Sequence, residues 1–305
     1  MAEKDVKLEE TIAENADVVA NADVVANEEG KKKKKRNKYA FLEKHPILYV
    51  LVHMVWSFVC IEIIFIAVLG SLFKGIGLNE YLAAVVGGIV YLACHAKRYK
   101  PGYKGNFKGG NTALGFRLAA FMGIYWVYLL IQVFAWGEYI NPTFTSVSMA
   151  LMAGVCEEVV FRLVPVSCLM RQWNDEKKVP VVLAISAGSF GLIHASNIAS
   201  GAGLAITIGQ VVCTGLMGIL FCAVYLRSGN ILPSILMHAI TDFICFLDKS
   251  QVSQTGIMTA SSITFVNVID FAVTVCLAVI GIYLIRPAKR AEIIAVWDKK
   301  FSKNE

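Results

Sequence analysis

Residues 146–170 read SVSMALMAGVCEEVVFRLVPVSCLM, an apolar stretch that carries three charged side chains in its middle. About 20 mainly apolar residues are enough to cross the hydrocarbon core of a membrane as a helix. Ionisable groups inside such a helix are costly, and they usually mark functional sites. The stretch therefore predicts a membrane-spanning helix that brings Glu157, Glu158 and Arg162 to a functional site.

The rest of the chain has the same character. Of its 305 residues, 56% are apolar and 17% are charged, and the mean hydropathy is +0.59, values too apolar for an ordinary soluble domain. Open sheet edges cannot face lipid, and the apolar stretches lack the alternation of a β-barrel. The predicted fold class is all-α, a polytopic transmembrane helical bundle with about eight spans. The predicted spans are 47–73, 80–96, 114–136, 146–170, 179–198, 203–226, 231–247 and 264–285.

Basic residues predict the orientation of this bundle. Lys and Arg are concentrated in alternate loops, as is typical of cytoplasmic loops, and the loops between them contribute only Lys74 and Lys249. An even number of spans with both termini in the cytoplasm satisfies every loop. The chain is thus expected to be a multi-pass protein of the cell membrane, surrounded by the lipid bilayer.

The expected domain organisation is a bundle at 47–286 between two cytoplasmic tails, 1–46 and 287–305. The first tail is polar and then basic, contains NADVVA twice in direct succession, and is expected to be disordered. No nucleic-acid-binding motif accompanies its basic run, so anionic headgroups rather than nucleic acid are the expected contact. The first apolar segment is long enough to act as an anchor instead of a cleavable signal peptide.

Three polar clusters fall inside predicted spans: EEVVFR at 157–162, FGLIH at 190–194 and HAITD at 238–242. On a helix, Glu158 and Arg162 share a face and can pair, while Glu157 points about 100° away and stays available as a base. The alternative is that all three residues form an ion-pair cluster that only holds helices together.

The other two clusters supply imidazoles. The Phe190 ring is expected to pack one turn above His194 and to fix its orientation. Asp242 is expected to orient His238 and set its tautomer, as a carboxylate does behind a catalytic imidazole. Three clusters on three spans indicate an enzyme with a base, its partners and groups that stabilise developing charge.

Other chemistries find less support in the sequence. It has no H-E-x-x-H zinc motif, no G-x-S-x-G elbow and no G-x-G-D motif near Asp242. The eight cysteines lack C-x-x-C spacing and are interpreted as small buried residues; Cys156 would be a weak nucleophile in an apolar setting. His53, Glu62 and Arg117 are interpreted as packing, snorkelling or peripheral substrate contacts.

The three clusters resemble the motifs of the CPBP family, the CAAX proteases and bacteriocin-processing enzymes also called the ABI family. Its pattern is E-E-x-x-x-R, then F-x-x-x-H, then H-x-x-x-N or D, and residues 157–162, 190–194 and 238–242 match it in order. The stretch from about 146 to 247 corresponds to the family's core domain. The resemblance implies an intramembrane glutamate-type endopeptidase whose helices enclose a water-filled cavity open to the cytoplasm.

The resemblance also implies roles for the site residues. Glu157 would activate water with help from His194, while His238 and the residue at 242 would stabilise the oxyanion. Glu158, Arg162 and Phe190 would support them. The family's prenyl endopeptidases carry asparagine where this chain has Asp242, which weakens the assignment of a prenylated substrate.

Several alternatives stay open. No cofactor is expected, although zinc is possible because Glu157, His194, His238 and Asp242 are zinc ligands by type. The expected partner is a membrane-associated peptide or protein substrate. The competing hypothesis is a noncatalytic bacteriocin-immunity or sensor protein that uses the same polar pocket. A small transporter is less favoured because no internal hydropathy repeat is evident.

Overall fold

The computed structural model describes residues 40–98, 103–135, 142–248 and 265–301. Within them the chain is helical and has no β-strand, as the sequence predicts. The predicted disordered tail lies outside the described residues up to position 39. The helices, in chain order, are α1 (Ala40–Lys44), α2 (Pro46–Gly75), α3 (Tyr81–Arg98), α4 (Thr112–Ala119), α5 (Met122–Ala135), α6 (Phe144–Met152), α7 (Val164–Gln172), α8 (Val179–Ile193), α9 (Leu204–Ser228), α10 (Leu232–Cys245), α11 (Phe265–Leu284) and α12 (Pro287–Phe301).

Three described helices are by themselves long and apolar enough to cross a membrane: Pro46–Gly75, Val179–Ile198 and Leu204–Ser228. Two bent pairs raise the number to five if each pair is one span; α4 and α5 meet at 40°, and α11 and α12 at 70°. The chain is therefore a helical membrane protein. The count of eight spans and the cytoplasmic position of both termini stay predictions.

Local sequence signals position the helices that carry the polar clusters. A capping box begins α6, in which Ser146 N donates to Thr143 Oγ1 at 3.0 Å and Thr143 N donates to Ser146 Oγ at 2.9 Å. Prolines occupy the first turns of α8 and α10, where the missing N–H has no helical partner to lose. Gly229 ends α9 at φ +63°, a left-handed conformation that glycine adopts without strain, and the chain turns directly into α10.

Between α6 and α7 the helix continues through two π-helical segments, Ala153–Glu157 and Val159–Leu163, with Glu158 between them. A third π-helical segment, Val59–Ile64, interrupts α2 and carries Glu62. Such wide turns are rare in helices and frequently occur at functional sites. Because they change the angle between successive side chains, they also change which residues share a face.

Helix α12 closes over the ends of earlier helices. Trp297 Nε1 donates to the carbonyl of Leu226 at 3.0 Å. The fully buried Lys300 Nζ donates to the carbonyls of Gly105, at 2.8 Å, and Gly229. Burial lowers the pKa of Lys300, which follows the last predicted span, from 10.5 to about 7. We call Trp297, Lys300 and these three carbonyls the C-terminal clasp.

Candidate active site

A buried ion pair forms the base of the site. Arg162 Nη1 lies 3.0 Å from Glu158 Oε1, and neither side chain has any exposed surface. The guanidinium also lies over the ring of Phe190, with its Cζ 3.9 Å from the ring centroid, and 5.3 Å from the centroid of Phe221. Aromatic faces attract a desolvated cation, so they add to the stabilisation that the carboxylate provides. The i to i+4 pairing predicted from the sequence is present.

The same oxygen of Glu158 holds His238. The two atoms His238 Nδ1 and Glu158 Oε1 are 3.0 Å apart, a hydrogen-bond distance between two buried side chains. Asp242, to which the sequence assigned the orienting role, lies with Oδ2 3.7 Å from the other ring nitrogen, Nε2. That separation exceeds a hydrogen bond, so Glu158 is the residue that fixes this imidazole.

Gly154 allows Glu158 to reach His238. A Cβ atom at position 154 would lie 2.6 Å from the Cβ of Ala239 and 2.8 Å from the carbonyl oxygen of Ile235. These distances are shorter than van der Waals contact, so only glycine fits between this turn and α10. The first π-helical segment therefore packs directly against the residue that follows His238.

Two carboxylates face the free edge of the His238 ring. Glu157 Oε2 and Asp242 Oδ2 each lie 3.7 Å from Nε2. Their side chains retain 29% and 26% exposure, whereas Glu158 has none. The neighbouring glutamates thus differ, because Glu158 is fully buried in an ion pair and Glu157 keeps part of its side chain exposed.

Phe190 lies between the two imidazoles. Its ring centroid is 5.5 Å from His194 and 5.5 Å from His238, with edge-to-face geometry in both cases. His194 begins the 3₁₀ segment that follows α8, and its buried Nε2 has no hydrogen-bond partner within the described structure. No oxygen of Glu157 lies within 4.0 Å of a His194 nitrogen. The structure thus brings Glu157, His238 and Asp242 into contact distance and places His194 beyond Phe190.

Helix α9 contributes residues that the sequence did not single out. The Phe221 ring lies 5.5 Å from that of His238. A Cβ at Gly218 would lie 3.1 Å from both Arg162 Nη2 and Phe190 Cδ1. Because α9 is apolar along this stretch and carries no polar motif, periodicity alone cannot separate these residues from ordinary core positions.

Polar residues of the predicted spans that lie outside the three clusters make other contacts. His53 Nδ1 lies 2.8 Å from the carbonyl of Tyr49, and the two rings stack. The buried Cys156 thiol donates to the carbonyl of Ala84 at 3.2 Å. Glu62 reaches the Cys156 side chain from the π-helical segment of α2. These contacts are those of packed side chains in a helical interior.

A zinc site requires three or four ligands that converge on one ion. In the ranges that the structure describes, no group of three or more His, Cys, Asp and Glu side chains is arranged to hold a metal ion. The four residues that qualify as zinc ligands by type do not form such a group. A reaction without cofactor stays a prediction, and it is testable with a chelator.

Comparison with known proteins gives one finding. The family model described as type II CAAX prenyl endopeptidase Rce1-like matches residues 139–244. No curated protein and no solved structure matches the chain significantly. The matched segment begins before α6 and ends within α10, and it includes all three polar clusters. Residues 139–244 are therefore similar to the Rce1-like family of type II CAAX prenyl endopeptidases.

Proposed function

We propose that this protein is an intramembrane endopeptidase that hydrolyses a peptide bond in a membrane-associated peptide or protein. The observation that carries the proposal is the difference in environment between two adjacent glutamates. Glu158 pairs with Arg162 at 3.0 Å, while Glu157 keeps 29% of its side chain exposed beside His238. The Rce1-like match over the same residues supports a peptide hydrolase.

In the proposed reaction, Glu157 takes a proton from a water molecule, which attacks the carbonyl carbon of the scissile bond. His194 assists by hydrogen bonding to this water through Nε2, the buried nitrogen that has no protein partner. The proton held by Glu157 then passes to the leaving amine. No metal or covalent intermediate is needed for these steps.

The developing oxyanion needs preorganised donors. His238 is suited to this role in its imidazolium form, because Nδ1–H donates to Glu158 at 3.0 Å and Nε2–H is left to face the open side of the site. Asp242 lies beside the same nitrogen at 3.7 Å. A carboxyl group donates to an oxyanion only in its protonated form, so the main contribution of Asp242 is electrostatic support of His238.

The substrate follows from the surroundings. The site lies among helices that have apolar outer surfaces, so the scissile bond belongs to a peptide that is itself held in or at the membrane. Because Asp242 stands where the prenyl endopeptidases carry asparagine, we do not restrict the substrate to prenylated tails. Peptide precursors and membrane-bound regulators belong to the same class.

The test is a quantitative comparison of peptide ends in membranes from cells that express the parent or Glu157→Gln at matched levels. We expect new ends with the parent and none with Glu157→Gln, at similar expression and helicity. Glu80→Gln is the matched control, since Glu80 is a glutamate of similar exposure, 34%, that pairs with Lys74 away from the site. It should retain all the ends.

Three outcomes would contradict all or part of the proposal. Identical ends in the parent and Glu157→Gln would remove Glu157 as the base. If no ends appear but a cellular effect such as protection persists in Glu157→Gln, the protein acts as a noncatalytic immunity or sensor protein. Loss of activity with a chelator and its return with zinc would replace the metal-free mechanism.

A further inference from the structure

A second polar cluster lies between α5 and α11, outside the Rce1-like match. Gln132 Nε2 donates to Asp270 Oδ1 at 3.1 Å and also to the hydroxyl of Tyr128. Both hydrogens of the amide nitrogen are therefore used, and the group presents mainly acceptor oxygens. All three side chains are only partly buried. We call Tyr128, Gln132 and Asp270 the α5–α11 cluster.

Asp270 differs from the carboxylates of the active site in having neutral neighbours. Its contacts are the amide of Gln132 and the hydroxyl of Tyr128. Over the described ranges, no Lys, Arg or His nitrogen lies within 4.0 Å of its carboxylate. Glu157, Glu158 and Asp242, by contrast, each have an imidazole or guanidinium within that distance. A carboxylate in a predicted membrane span without a cation is a functional candidate by default.

The cluster is connected to the active site through α10. Helix α5 packs against α10, and Trp126 Nε1 donates to Thr241 Oγ1 at 3.0 Å. Thr241 directly precedes Asp242 in the sequence. Cys245, one turn further along α10, lies near both Asp242 and Asp270. The part of α10 that carries Asp242 therefore lies against α5, the helix that carries two residues of the cluster.

The position of the cluster also leaves it accessible. Helix α11 packs along α9 and α5 packs against α10, whereas α5 and α11 have few backbone contacts with each other. The hydrogen bond from Gln132 to Asp270 links the two helices, and all three side chains of the cluster remain partly exposed. A side chain that enters between the two helices would meet a carboxylate and two further oxygen atoms.

We propose that the α5–α11 cluster is a substrate subsite that binds one cationic side chain, Lys or Arg, of a membrane-embedded peptide. The proposal rests on the peptidase function, because a substrate subsite requires a substrate that the active site cleaves. A cation inside a membrane needs an anionic partner as much as Asp270 does. The pairing would satisfy both charges and would select substrates by the position of a basic residue. The rival role for Asp270 is an interhelical hydrogen bond that only stabilises the bundle.

Binding can be measured without cleavage in the Glu157→Gln background. The probes are fluorescent transmembrane peptides of alanine and leucine with one Lys at successive positions, each with a twin that has Gln at that position. In bilayer nanodiscs we expect one Lys position to bind about tenfold or more tightly than its twin. Asp270→Asn keeps the size and polarity of the side chain but removes the charge, so it should abolish this preference. Asp270→Glu should retain part of it.

The outcomes separate the two proposals. Equal binding of every Lys peptide and its twin would overturn the subsite, even if Glu157-dependent cleavage is seen. A loss of thermal stability in Asp270→Asn with an equal loss of affinity for both twins would assign Asp270 to bundle stability and also overturn it. A Lys preference that depends on Asp270, in a protein that cleaves nothing, would support the subsite and remove the peptidase.

Discussion

Replacement of Arg162 by methionine tests the buried ion pair directly. Removal of one partner from a buried pair costs about 3–5 kcal/mol, because the remaining charge is left in a low-dielectric interior. Glu158 would keep its contact with His238 at 3.0 Å, which favours the lower end of that range. Loss of the contact with Phe190, now at 3.9 Å, adds about 1 kcal/mol. We expect Arg162→Met to lower the free energy of unfolding by about 4 kcal/mol.

The double variant makes the reasoning quantitative. Glu158→Gln alone should cost about 3 kcal/mol, since it leaves the guanidinium with aromatic faces and a neutral amide. Glu158→Gln combined with Arg162→Met leaves no stranded charge, so it should cost at most about 4 kcal/mol, the cost of the larger single change, and not the sum of about 7. The expected coupling energy is therefore at least about 3 kcal/mol.

Unfolding in mixed micelles, as the fraction of SDS rises, gives these energies from tryptophan fluorescence. Arg117→Met is the control, since Arg117 is exposed, and its change should stay within about 0.5 kcal/mol. If the single effects of Glu158→Gln and Arg162→Met add to within about 0.5 kcal/mol, the two side chains are not coupled and the reasoning fails.

Two further variants test the close packing at Gly154 and the buried amine of the C-terminal clasp. Gly154→Ala should lower the free energy of unfolding by about 1–3 kcal/mol and abolish cleavage, because its Cβ would overlap that of Ala239 at 2.6 Å. The control Gly123→Ala, whose Cβ would meet no atom within 4 Å, should have neither effect. Unchanged cleavage in Gly154→Ala would contradict the close packing. Lys300→Met should cost about 1–3 kcal/mol at pH 7 by leaving buried carbonyls without a donor, whereas the exposed neighbour Lys299→Met should cost little. The pKa of Lys300 is lowered from 10.5 to about 7, so between these pH values the folded parent binds fewer protons than the unfolded chain. The stability of the parent relative to Lys300→Met should therefore rise with pH. Thermal unfolding from pH 7 to 10 measures this difference, and parallel pH profiles of the two proteins would show that Lys300 does not titrate in this range.

The sequence predicts the helical class and the contacts that depend on helical spacing. Glu158 and Arg162 pair at i to i+4, and the Phe190 ring meets His194, as expected from one shared face. Ionisable residues inside apolar helices also point to Glu157, Glu158 and Asp242, which the structure places around His238. These inferences succeed because they need only the period of a helix and the cost of charge in lipid.

Other features depend on how helices meet, and no period in the sequence encodes that. The partner of His238 Nδ1 is Glu158 rather than Asp242, because Gly154 lets the π-helical turn approach α10. Phe221 lies in a stretch where every residue is apolar, so no sequence pattern marks its contact with His238. The sequence places Lys300 in a predicted cytoplasmic tail, yet its side chain is completely buried among carbonyl groups.

The C-terminal clasp has a consequence for the order in which the protein assembles. Gly105 and Lys300 are 195 positions apart, and Leu226 and Trp297 are 71 positions apart. Contacts between such distant residues form only after a long loop of chain has closed, which costs entropy and takes time. Docking of α12 is therefore a late folding event that follows insertion of the helices it touches. We therefore expect the clasp to close only after the helices that it touches have entered the bilayer.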